Sequence, residues 1–146
     1  MAAFSRQVTV DWAGSVMEGK GQAKAGSGAF SVPVTFPRRI GEPEGMTSPE
    51  EFIAAAHASC YAMALNATLG RKNAKAAKTV VTATVTADKG DAGIKVVSSN
   101  LKVVASGLEG LSAADFAKTA QEAEGKCPIS NALRNNLQIT VEASVT

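Results

Sequence analysis

Two cysteines and a single histidine are the strongest nucleophiles and bases in this chain of 146 residues. Cys60 and Cys127 stand far apart, which excludes the CxxC spacing of thioredoxin-like dithiols and of zinc ribbons. Cys127 immediately precedes Pro128, and a proline there fits the first position of a helix. The partial positive charge of a helix N-terminus favours a thiolate, so Cys127 reads as a reactive thiol or as an ordinary first-turn residue. Cys60 lies in the Ala-rich run FIAAAHASCYAMALNATL, where cysteine also serves as a small packed hydrophobe. His57 precedes Cys60 by three residues, hence on one helix face, and that spacing allows a thiolate–imidazolium nucleophile of the acyl-transfer kind. A packed, hydrogen-bonded histidine fits the same position. His57, Cys60 and Cys127 also make three soft metal ligands, but no other residue has ligand spacing.

Arg38, Arg39 and Glu50 complete the set. Glu50 is ten residues before Cys60, about 1000° of helical rotation and roughly 15 Å along the axis, so it is not a base for that thiol. It is placed to orient an arginine, whose planar guanidinium stabilises a thiolate and donates to a substrate oxygen. The plain alternative is a solvated loop pair and a carboxylate favoured by the helix dipole.

The elements that must position these groups follow from periodicity. Gln7–Trp12 alternates with Val8, Val10 and Trp12 on one face, which predicts a half-buried strand. Glycines then punctuate short strands around residues 16–24 and 29–36, and Pro33 and Pro37 push the latter toward a sheet edge. Arg38 and Arg39 are expected in the loop that follows. Ser48-Pro49-Glu50-Glu51 predicts a capped helix running to Gly70, apolar on nearly every side and expected to be buried all round, between sheet and another helix. Thr79–Ala87 and Ile94–Ala105 predict a hairpin joined by a loop over 88–93. A helix from Ser112 toward Glu124, a short one from Cys127-Pro128 through Arg134 and a strand over 137–145 close an α+β chain with antiparallel sheet.

Length and composition predict a single domain, residues 1–146, with hydrophobic residues at 45% and charged residues at 19%. The apolar share leans on Ala and Val, with aromatics only 5%, so self-association helps to bury enough area. A net charge of +2 with scattered basic residues predicts no nucleic-acid partner. The N-terminal residues lack a secretory pattern and the long apolar run carries His57, Ser59, Asn66 and Thr68, so a cytoplasmic protein outside the membrane is expected.

Thr47 through Cys60 (TSPEEFIAAAHASC), followed far downstream by Cys127-Pro128-Ile129-Ser130-Asn131-Ala132-Leu133, resembles the osmotically inducible protein C (OsmC) family. That family is sister to the organic hydroperoxide resistance proteins. The likeness spans essentially the whole chain, with Thr-Ser-Pro where Asn-Pro is usual. It implies an OsmC-like fold in which antiparallel sheets surround a central buried helix, as an intertwined homodimer with active sites at the interface.

The resemblance also implies a thiol peroxidase that reduces organic hydroperoxides without metal or organic cofactor. Cys60 would be the peroxidatic thiol, forming a sulfenic acid, and Cys127 the resolving thiol, closing a Cys60–Cys127 disulfide. A dithiol such as dihydrolipoamide, or a lipoylated protein, would re-reduce it. The aromatic-Pro-x-Arg pattern selects Arg39 as the catalytic arginine, with Arg38 in reserve, and Glu50 as its salt-bridge partner. One arginine that lowers a thiol pKa by about two units contributes roughly 2.7 kcal/mol, enough to make the thiolate predominant. The alternatives are a cysteine–histidine acyl-transfer enzyme and a non-catalytic dimeric module holding a small lipophilic ligand.

Overall fold

A computed structural model describes residues 3–146, and the chain divides into two compact units, one ending at Phe52 and one from Ile53 to Thr146. The first unit is a three-stranded antiparallel meander, β1 (Val8–Ala13), β2 (Lys20–Ala25) and β3 (Ser31–Val34), in the order β1-β2-β3. Trp12 pairs with Gly21. A Cβ at Gly21 would stand 2.8 Å from Trp12 Cε3, so the missing side chain lets the indole lie across the neighbouring strand. Pro33 sits on β3, an edge strand, where its missing N–H costs no ladder bond on the open side.

β1 forms where the alternation predicts it, but it is not half-buried. Val8, Val10 and Trp12 remain 53%, 53% and 44% exposed, so the meander leaves its apolar face uncovered. After β3 the chain turns into a short helix, α1 (Phe36–Ile40), in place of the expected loop. The Thr35 side chain accepts the Arg38 N–H at 3.3 Å and Pro37 supplies a helical φ in the first turn, so this cap and proline start a helix that apolar periodicity is too short to reveal.

α2 (Pro49–Arg71) starts as the capping residues predict, Ser48 Oγ accepting the Glu51 N–H at 3.1 Å. It passes through Gly70 and stops at Asn73, whose φ of +54° turns the chain while the Ala74 N–H reaches back to the Leu69 carbonyl at 2.9 Å. By length and composition α2 suffices to cross a bilayer. Here its residues Tyr61, Leu65 and Leu69 instead form the core of the second unit.

That unit continues with β4 (Lys75–Gly90), β5 (Gly93–Glu109), α3 (Ala113–Gly125), α4 (Pro128–Leu133) and β6 (Gln138–Val145). β4 and β5 form a hairpin longer than expected, paired from Lys75↔Glu109 to Gly90↔Gly93, so the loop shrinks to Asp91-Ala92. β6 runs parallel to β5, not antiparallel as expected, because α3 and α4 carry the chain back across the sheet before it re-enters. The core joins Tyr61, Leu65 and Leu69 to Leu101, Val103 and Ala105 of β5 and to Phe116, Ala120 and Ala123 of α3. Tyr61 Oη donates to the Ala120 carbonyl at 2.9 Å, satisfying the one polar atom of that buried ring.

α2 is buried along this one stripe and not all round, with Met63 left 69% exposed. The second unit supplies packing surface for one face of the helix.

Candidate functional site

In the first unit, successive residues on α1 point about 100° apart, so the two arginines reach different partners. Arg38 turns to Glu44 at 2.6 Å and donates to the Glu42 carbonyl at 3.3 Å. Arg39 faces the first turn of α2, where its Nη2 meets Glu50 Oε1 at 2.6 Å and its Nε contacts both Glu50 oxygens at 3.1 and 3.2 Å. Both side chains are mostly buried, at 29% and 15% exposure, which makes this pair stiffer than a surface salt bridge. The Arg39 hydrogen bonds hold the Glu50 carboxyl below the usual carboxylate range against the opposing effect of burial. Arg39 also borders an apolar hollow of about 360 Å³ lined by Trp12, Val16, Val34, Phe36 and Pro49.

In the second unit, α2 brings Cys60 to the head of α4. Cys127 is fully buried and caps that helix, its sulfur accepting the Ser130 N–H at 3.4 Å. Both cysteines are free thiols. Burial pushes the Cys60 thiol above its ordinary pKa, a backbone hydrogen bond from Ile129 pulls it down, and the Cys127 sulfur raises it again by hydrogen bonding and by charge. The two sulfurs are therefore neighbours despite their separation in sequence. A half-buried sulfur beside a second sulfur favours its proton.

His57 is fully buried between two hydroxyls, its Nδ1 2.7 Å from Ser99 Oγ of β5 and its Nε2 2.7 Å from Ser130 Oγ of α4. Burial lowers its pKa, opposed by the Glu124 carboxylate. Both ring nitrogens are committed to serines, so the thiolate–imidazolium pair open at the sequence level does not form. Glu124 lies nearby, bound by Arg134 at 3.0 Å, which ties the end of α3 to the end of α4. Among the described residues no three metal-ligating side chains gather at one point.

Ser99, Ser130 and Glu124 carry no role in the sequence reading. One signal was available: Ser99 shares the inward alternation of Leu101, Val103 and Ala105, so a serine occupies a core position that needs a polar partner.

The profile of a family described as OsmC-like protein matches residues 41–142. Peroxiredoxin OsmC of Escherichia coli K12 is 36% identical over 129 residues, covering 88% of this chain and 89% of its own length. The organic hydroperoxide resistance protein OhrA of Bacillus subtilis is 34% identical over 103 residues, covering 69% of this chain and 70% of its own. Among solved structures, an organic hydroperoxide resistance protein from Elizabethkingia anophelis superposes with a TM-score of 0.78 at 23% identity, covering 100% of both chains. An OsmC structure from Legionella pneumophila gives 0.76 at 22% identity, covering 99% of each. The structures establish the fold, the profile and the E. coli relative establish kinship, and the chain belongs to the OsmC family.

Proposed function

We propose that this chain is a soluble, cytoplasmic, homodimeric peroxidase, both units forming one OsmC-like domain, that reduces organic hydroperoxides with two cysteines. The observation that carries the reading is the meeting of two free thiols at the head of α4, one half-buried and one fully buried. The Cys60 thiolate attacks the outer oxygen of the hydroperoxide, the O–O bond breaks, and the leaving alkoxide takes a proton to become the alcohol. Cys60 is left as a sulfenic acid. The Cys127 thiolate then attacks the Cys60 sulfur, the S–O bond breaks, and hydroxide leaves as water once protonated. Two electrons from a dithiol of the dihydrolipoamide kind, free or on a lipoylated protein, restore both thiols.

Arg39 is assigned to the first step. Its guanidinium, held rigid by Glu50, offsets the raised Cys60 pKa and stabilises charge developing on the leaving oxygen. The hollow beside Arg39 suits the hydrocarbon portion of an organic hydroperoxide. That hollow is also what favours the second reading, a binding module for a lipophilic ligand in which both thiols are inert.

Intact-mass analysis after one equivalent of cumene hydroperoxide tests this. Wild type is expected to lose two hydrogens, Cys127→Ser to gain oxygen, and Cys60→Ser to stay unchanged. Three unchanged masses, under conditions that oxidise a control peroxidase, would hand the protein to the binding reading.

A further inference from the structure

We propose that His57 is a positioning residue for disulfide formation, an imidazole clamp that fixes the head of α4 and with it the Cys127 sulfur. The proposal rests on the two-cysteine peroxidase reading above.

His57 lies one helical turn before Cys60 on α2, and Ser130 one turn after Cys127 on α4. The 2.7 Å contact between His57 Nε2 and Ser130 Oγ therefore joins the two cysteine-bearing helices beside the two sulfurs. Ser130 serves both groups: its hydroxyl meets the imidazole, and its backbone N–H holds Cys127 Sγ at 3.4 Å. On the other edge of the ring, Nδ1 is anchored at 2.7 Å to Ser99 on β5, so the clamp is fastened to the sheet.

α4 has only six residues, too short to hold its own position, and its ties to α3, the Arg134–Glu124 ion pair and Asn131 Nδ2 donating to the Gly125 carbonyl at 3.4 Å, lie toward its far end. An imidazole has two polar atoms on opposite edges, and a neutral ring offers one donor and one acceptor, which the two hydroxyls match in either tautomer. A buried, doubly bonded ring is a costly way merely to fill space, since an aliphatic side chain packs there without needing partners.

The mechanical consequence concerns one step. Attack on hydroperoxide takes place at the Cys60 sulfur, with Arg39 assisting, and does not need the Cys127 sulfur in line. Closing the disulfide requires Cys127 Sγ in line with the Cys60 S–O bond, and loss of that alignment by about 1 Å costs on the order of 100-fold.

The experiment separates the two steps by quenched-flow mass analysis with cumene hydroperoxide, trapping the sulfenic acid with dimedone. Wild type, His57→Leu, His57→Gln, His57→Asn and Ser130→Ala are compared. Sulfenic acid formation is expected to stay within about threefold of wild type in all, while disulfide closure slows by about 10- to 100-fold in His57→Leu and Ser130→Ala, with matching gain in trapped adduct. Glutamine places its amide where Nε2 was and can still reach Ser130, whereas asparagine mimics Nδ1 and cannot. Partial recovery of closure by glutamine and none by asparagine is therefore expected, a contrast that general destabilisation does not produce. Wild-type closure rates in folded His57→Leu or in Ser130→Ala overturn the clamp, as does parallel slowing of both steps. Should His57→Leu not fold, the glutamine–asparagine contrast and Ser130→Ala decide. Failure of wild type itself to form sulfenic acid or disulfide removes the peroxidase reading, and the clamp with it.

Discussion

Arg39 grips Glu50 through two nitrogens, and that fork is a property of guanidinium that an ammonium cannot copy. In the proposed enzyme, Arg39→Lys keeps the charge but loses the fork and is expected to slow sulfenic acid formation by about 10-fold or more, removal of one preorganised donor costing roughly 100- to 1000-fold. Glu50→Gln leaves the cation and removes only its orientation, so a smaller loss is expected; initial rates with cumene hydroperoxide rank the two. His57 makes a second prediction, on stability. Its folded pKa lies below the ordinary 6.5, so below that pH the unfolded chain binds the proton more readily and stability falls as the solution is acidified. Glu50 acts in a lower window, its folded pKa lying below 4.5, and its stabilisation is lost only as pH falls through that lowered value. Urea midpoints measured between pH 7 and pH 5 should therefore decline in wild type and flatten in His57→Gln. The Arg39–Glu50 contact and the approach of Cys60 to Cys127 were legible because residue type and motif single those residues out. Ser99 and Ser130 were not, since they lie 42 and 73 positions from His57 and only the folded chain makes them its partners.

The short helix α4 exists because its ends are tied down, and its N-cap is a cysteine. Serine is a better cap than cysteine, and alanine is none, so Cys127→Ser should keep α4 in place while Cys127→Ala costs about 1 kcal/mol more. Thermal denaturation of the two variants checks this, and equal loss in both would mean the cap bond contributes nothing. α2, α3, α4 and the β4–β5 hairpin were readable from caps, prolines, glycines and Val/Thr-rich runs, all local signals. α1 was missed because five residues show no periodicity, and the direction of β6 because parallel pairing is decided by where α3 and α4 return the chain. The end of α2 slipped past Gly70 because Asn73 adopted the left-handed turn in its stead.

At the scale of the molecule, the bare apolar face of Val8, Val10 and Trp12 in the first unit and the bare Met63 in the second are surfaces that a monomer has no use for. A homodimer is the proposed cover for both. Sedimentation at micromolar concentration should give twice the chain mass of 14.9 kDa, and Val10→Asp should shift the protein toward monomer with its circular dichroism retained. A wild-type monomer would sink the proposal. Neither the bareness of β1 nor that of α2 was visible in sequence, where alternation and apolarity report that a face will be covered without saying by which chain. The parallel strand β6 has a further consequence, in the order of assembly. β4 and β5 meet across a two-residue turn and can zip from Asp91-Ala92 outward, whereas β6 first pairs at Ser98↔Gln138, across the whole α3–α4 crossover. The last strand waits for the crossover, so in hydrogen exchange the amides of β6 should open before those in the middle of β5, and the chain should come apart from its C-terminal end.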